Sequence, residues 1–128
     1  MTSEEYKALI QRYIEAYNAF DVDRMLRLMH DDVIFRNFSD GKVTLTIQGK
    51  EELRKQAEQA AAAFSSRRQQ WLNFRFVSDD AVEVDIDYEG VLAVDVSEAM
   101  KRGEKLQLKG KSVFSFKDDK IVLLEDYS

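Results

Sequence analysis

Residues 11–38, QRYIEAYNAFDVDRMLRLMHDDVIFRNF, constrain the chain most, because two helical patterns and a strand pattern follow one another there almost without a linker. Tyr6, Leu9, Ile10, Tyr13, Ile14, Tyr17 and Phe20 recur at helical spacing, opposite Glu5, Arg12 and Glu15. Ser3 with Glu4 and Glu5 suits the start of this helix, with acids at the positive end of its dipole. Asp21 can cap a second, shorter helix whose apolar face is Val22, Met25, Leu26 and Met29. His30, Asp31 and Asp32 break that period, and Val33, Phe35 and Asn37 then alternate with Ile34, Arg36 and Phe38 as in a strand. Helix, tight turn, helix and strand fold back on one another, an arrangement that suggests a pocket.

The rest of the chain gives one more helix and then strands. Ser39, Asp40 and Gly41 suit a hairpin turn into a strand over residues 43–48, and Gly49 opens a third helix. Leu53, Ala57, Ala60, Ala61 and Phe64 mark its buried face, and the alanine run 60–63 reads as a close contact with a sheet. Strands are predicted over 66–77 and 81–94, the second with Val82, Val84, Ile86 and Tyr88 on one face and Glu83, Asp85, Asp87 and Glu89 on the other. Same-face neighbours lie about 7 Å apart, too far to share one cation easily, so the acids read as a solvated face with Arg75 or Lys109 as cross-strand partners. Gly90 predicts a bulge or bend, and Ser97 to Gly103 a single helical turn within 95–104. Leu106, Leu108, Gly110, Ser112, Phe114 and Phe116 define the apolar side of the next strand, which turns at Asp118, Asp119 and Lys120. In the last strand, 121–127, both faces are partly apolar and the inward set is ambiguous.

The 128 residues fit one domain, 1–128, that can bury roughly two thirds of its unfolded surface. A net charge of -5 with scattered Lys and Arg argues against nucleic acid, and no apolar run reaches transmembrane length. The polar, amphipathic first helix is not a signal peptide. Zero cysteines exclude disulfides and thiol chemistry and fit a cytoplasmic protein; with one histidine they leave no protein-built zinc site. His30 reads as a partner for a helix C-terminus rather than as a catalytic group.

The helix with QRY, the N-x-x-D turn, the helix ending in DDV and the following strand resemble the nuclear transport factor 2-like superfamily, which includes ketosteroid isomerases and SnoaL-like polyketide cyclases. The C-terminal KGKSVFSFKDDKIVLLEDYS resembles the end of the same domains. The resemblance implies an α+β fold: a curved, mostly antiparallel sheet wrapped round three helices from the first half of the chain, as a cone-shaped, cystatin-like barrel. It also implies a homodimer through the outer sheet face. Ketosteroid isomerases use an Asp base with an oxyanion hole of Tyr and a protonated Asp. Carried over, the tyrosine falls on Tyr13, the base on Asn37 and the second acid on Ser112. An amide takes no proton at neutral pH, and a serine is a weaker donor than a carboxylic acid. The same placement puts Asp126 on the pocket side of the last strand, where a base can have migrated.

The weak catalytic candidates are therefore Tyr13, Asn37 and Asp126. The inward sets predict a pocket of Tyr13, Tyr17, Met29, Phe35, Asn37, Ser112 and Phe114, with no metal and no cofactor. A buried Tyr13 is equally a core residue, and Asp126, near the C-terminus, reads more simply as an exposed one. Asn37 and Ser112, if inward, need partners, since an unsatisfied buried polar group costs about 1 to 3 kcal/mol. Two functions fit: a SnoaL-like pocket that binds or transforms a small hydrophobic molecule, or a non-enzymatic dimeric association module.

Overall fold

The computed structural model describes residues 1–128. In chain order the elements are α1 (Ser3–Asn18), α2 (Val22–Arg27), β1 (Met29–Ser39), β2 (Lys42–Gln48), α3 (Lys50–Ala62), β3 (Phe64–Ser78), β4 (Ala81–Leu92), β5 (Lys105–Lys117) and β6 (Lys120–Tyr127). The strands form one sheet in the order β2-β1-β6-β5-β4-β3. Every neighbouring pair is antiparallel except β1 and β6, which run parallel. The expected α+β arrangement is present, but the sheet is open: β2 and β3 are its two edges, so no barrel closes.

The first helix starts on a capping box one residue earlier than Ser3 suggests. The Thr2 amide donates to Glu5 Oε1 at 2.9 Å, and the Glu5 amide donates to Thr2 Oγ1 at 3.2 Å. It ends in a Schellman turn: the Asp21 amide reaches the Ala16 carbonyl at 2.9 Å and the Phe20 amide that of Tyr17 at 3.1 Å. Phe20 takes the left-handed position, φ 59°, that glycine usually fills. Asp21 then caps α2 as expected, accepting from the Arg24 amide at 3.1 Å.

This turn lays α1 and α2 against the concave face of the sheet. Ile10 and Ile14 of α1 meet Val33, Val82, Val84, Phe114, Ile121 and Leu124 in one core. Leu53 and Ala57 of α3 belong to the same core. No helix is long and apolar enough to cross a membrane.

Several boundaries differ from expectation. Met29 is not the last apolar residue of α2 but the first of β1, and His30 lies in that strand, its ring 3.3 Å from Asp118 Oδ2, with no helix terminus to cap. Phe64 likewise opens β3 rather than closing α3. In both cases the chain passes from helix to strand while staying on the buried side, so one apolar residue satisfies either period. Gly90 keeps regular pairing with Arg67 and Leu106; the β3–β4 register shifts lie elsewhere, between Phe64 and Ser66, Leu72 and Arg75, and Phe76 and Ser78. A Cβ at Gly90 would stand 2.8 Å from the Phe64 ring, so the glycine provides space, not a bulge. Residues 95–104 form bends and a turn around Gly103, φ 88°, with no helical turn after Ser97.

The acidic face of β4 is neutralised as expected. Arg75 lies 2.7 Å from both Glu83 and Asp85, Lys111 lies 3.1 Å from Glu83, and Lys105 pairs with Glu89. Hydrogen bonds from Arg75 and Asn73 hold the Asp85 carboxyl down at about 2.

Candidate ligand pocket

The inward face of the sheet extends past the helices that cover it. Along β5, Ser112, Phe114 and Phe116 are buried, whereas Leu106 is half-buried and Leu108, of the same parity, is 49% exposed. Two cavities form at this boundary. The smaller, about 140 Å³, lies between the three helices and the sheet and is walled by apolar groups including Tyr13, Met25, Met29, Phe35 and Leu53. The larger, about 260 Å³, opens over the uncovered part between Phe64, Tyr88, Leu106 and Leu108. Tyr17 and Asp126 line both and form the wall between them. A groove of about 370 Å³ over Asp87, Glu89 and Lys109 has a charged lining instead.

The expected site residues divide between these spaces. Tyr13, Tyr17, Met29 and Phe35 face the smaller cavity, and Tyr17, Asn37 and Ser112 the larger. Phe114 lines neither: it is 1% exposed and packs edge-to-face on Tyr13, centroids 5.7 Å apart, as core. Asn37 donates to Thr44 Oγ1 at 2.8 Å, so its amide is engaged across the β1–β2 hairpin. Ser112 Oγ donates to Asp126 Oδ1 at 2.7 Å.

Asp126 faces inward because of a register shift between Ser115 and Phe116. Phe116 pairs with Ile121 but Ser115 with Leu123, so Val122 is extra and the parity of β6 changes. Ile121 and Leu124 are both buried as a result, and Asp126 follows Leu124 on the inward side. The residue as a whole is half-buried while its carboxyl is enclosed. Burial pushes that carboxyl up to about 6, and the Ser112 hydroxyl offsets only part of the effect. Burial and the neighbouring Asp126 hold the Tyr13 phenol well above its usual range, so it stays neutral. A carboxyl that titrates near neutrality is suited to give and take protons. A neutral phenol beside it is suited to donate a hydrogen bond.

Arg67 was not among the expected residues. It comes from the inward side of β3, is 5% exposed, and lines the smaller cavity. Its Nε donates to the Tyr17 carbonyl at 3.0 Å, at the negative end of α1. Its guanidinium lies 3.7 Å from the Tyr17 ring centroid and 4.6 Å from that of Phe20. Parity was the available signal: Arg67, Gln69 and Trp71 share the inward side of β3, but the polar run Arg67 to Gln70 hides any alternation.

The open, curved sheet holding three helices in its concavity has the nuclear transport factor 2-like fold. Residues 10–124 match the family model of the SnoaL-like domain, and the chain belongs to that family. Among solved structures, it is similar to a proposed polyketide cyclase from Xanthomonas campestris pv. campestris, at 22% identity over 98% of this chain and 90% of that one, with a TM-score of 0.77. It is also similar to AclR, a proposed hydroxylase from Streptomyces galilaeus, at 18% identity over 98% and 89% of the two chains, TM-score 0.76. An LEH-like epoxide hydrolase from M. tuberculosis aligns at 16% identity over 97% and 82%, TM-score 0.75. No match was found among curated proteins.

The buried carboxyl has a consequence for stability. With a folded pKa above its unfolded value, Asp126 binds its proton more tightly in the folded state. Its contribution is fully present below about pH 4 and is lost as pH rises through about 6. We predict that Asp126→Asn, which keeps an acceptor for Ser112, stabilises the fold by about 1 to 3 kcal/mol at about pH 8 and by almost nothing at about pH 4. Urea denaturation at the two pH values checks this; a variant no more stable at high pH contradicts it.

Proposed function

We propose that this protein holds a flat, hydrophobic small molecule in the cavity between α1 and the sheet, and that Asp126 exchanges a proton with it. No cofactor is needed for that chemistry. The observation that carries the reading is the Asp126 carboxyl, enclosed between two cavities and poised at about 6, with the neutral Tyr13 phenol beside it. Asp126 takes a proton from carbon next to a carbonyl, and Tyr13 donates a hydrogen bond to the oxygen on which charge develops. A positioned acid–base group of this kind contributes typically about 10² to 10⁴ in rate. The two cavities are each smaller than the roughly 300 to 1,000 Å³ of most ligand pockets and share Tyr17 and Asp126 in their walls, so a larger ligand occupies both.

In a dye-displacement screen of aromatic ketones, Tyr13→Phe is expected to weaken the best ligand by about 0.5 to 1.5 kcal/mol without unfolding the protein. If no compound displaces the dye, or none responds to Tyr13→Phe, the association module becomes the better account.

We also propose that two copies pair through the convex face. Register places Ile34 beside Leu123, and Val113 lies on the same outward side, all half-buried in the single chain. The Arg36–Glu125 ion pair, 3.4 Å, flanks them and supplies a polar rim. Sedimentation at tens of micromolar is expected to give twice the 14.9 kDa chain mass. A mass of one chain at that concentration removes the dimer.

A further inference from the structure

We propose that Arg67 is a ligand-binding residue that receives an anionic oxygen, so that the pocket takes an amphipathic molecule with an apolar body and one carboxylate, phenolate or enolate oxygen. This rests on reading the smaller cavity as a ligand pocket and names the class of molecule it selects.

Arg67 is the one buried basic side chain in the protein. The other arginines and lysines that make ion pairs do so at the surface, Arg75 with Glu83 and Asp85 for example. Arg67 has no such partner. Its Nη2 is buried and meets no hydrogen-bond acceptor in the protein. Asp126 lines the same cavity, but its carboxyl accepts from Ser112 at 2.7 Å and makes no ion pair with Arg67.

The guanidinium is also held in place. Nε is engaged by the Tyr17 carbonyl, and the rings of Tyr17 and Phe20 lie against the group at 3.7 and 4.6 Å. Phe20 reaches it from the left-handed position of the Schellman turn, a conformation unfavourable for a bulky residue. Capping α1 accounts for Nε alone and leaves the outer nitrogen without a role. A buried cation lacking a counter-charge is costly, and a charge-assisted hydrogen bond to a ligand oxygen offsets that cost. A neutral, steroid-like hydrocarbon leaves the cost in place. With the anionic oxygen on the guanidinium, the apolar body lies against Tyr13, Met29 and Phe35, which line the same cavity.

The test compares naphthoate with its neutral isostere naphthamide, and naphthol with methylnaphthalene, by calorimetry near neutral pH on the full chain and on Arg67→Met and Arg67→Lys. The wild type is expected to bind an acidic member roughly tenfold or more tightly than its neutral partner. Preference for naphthoate assigns a carboxylate, and preference for naphthol alone, accompanied by release of its proton on binding, assigns a phenolate or enolate oxygen. Arg67→Met should abolish the preference while neutral binding persists, and Arg67→Lys should retain part of it. Equal binding of acid and neutral forms by the wild type overturns the Arg67 proposal and leaves the pocket standing. A preference that survives in Arg67→Met overturns it as well. If neither member of either pair binds, the pocket reading falls and this proposal falls with it. Should Arg67→Met not fold, the wild-type comparison still decides.

Discussion

The sheet's concave face is longer than the helices that fill it, and this mismatch sets what the molecule can do. α1 and α2 cover the half of the sheet that carries Val82, Val84, Phe114 and Ile121, and there the interior is closed by apolar side chains. Toward the edge of that cover the same inward parity continues through Ser112 of β5 and Asp126 of β6, beside Tyr17 of α1, and then through Gly110 to the exposed Leu108. Polar groups on an inward face are tolerated where cover ends, because hydrogen bonds and a water-filled mouth satisfy them. Asp126 sits at that limit, enclosed enough to be pushed toward neutrality yet bordering an open cavity.

The helix–turn–helix–strand unit was legible because every signal in it agrees: apolar period, Asp21 cap and the onset of alternation at Val33. The strands of the second half were legible for the same reason, Val82 to Tyr88 most plainly. Junctions were not. Met29 and Phe64 each lie where a helix hands over to a strand, and burial is common to both sides of the handover. At residues 95–104, capping residues were present without an apolar face to pack, and bends resulted.

Legibility of the site followed the same rule. Tyr13, Tyr17, Met29 and Phe35 could be placed at one cavity because each belongs to a clear inward set. The last strand could not be resolved, because the extra residue Val122 changes its parity midway, a feature set by pairing with β5 and not by local sequence. Arg67 was hidden for a different reason: its inward position is polar, and so are its neighbours, so hydrophobic alternation carries no information there. Its burial depends on the carbonyl end of α1 and on the Phe20 turn, both distant in sequence.

The proposed chemistry therefore depends on one carboxyl that the fold keeps inside. Asp126 and Arg67 line one mostly apolar space without forming an ion pair, and Tyr13 adds a neutral donor. A carbon-detected NMR titration of the Asp126 carboxyl in the free protein tests this most directly. The account predicts a midpoint at about 6; a midpoint in the ordinary aspartate range, near about 3.9, would contradict it.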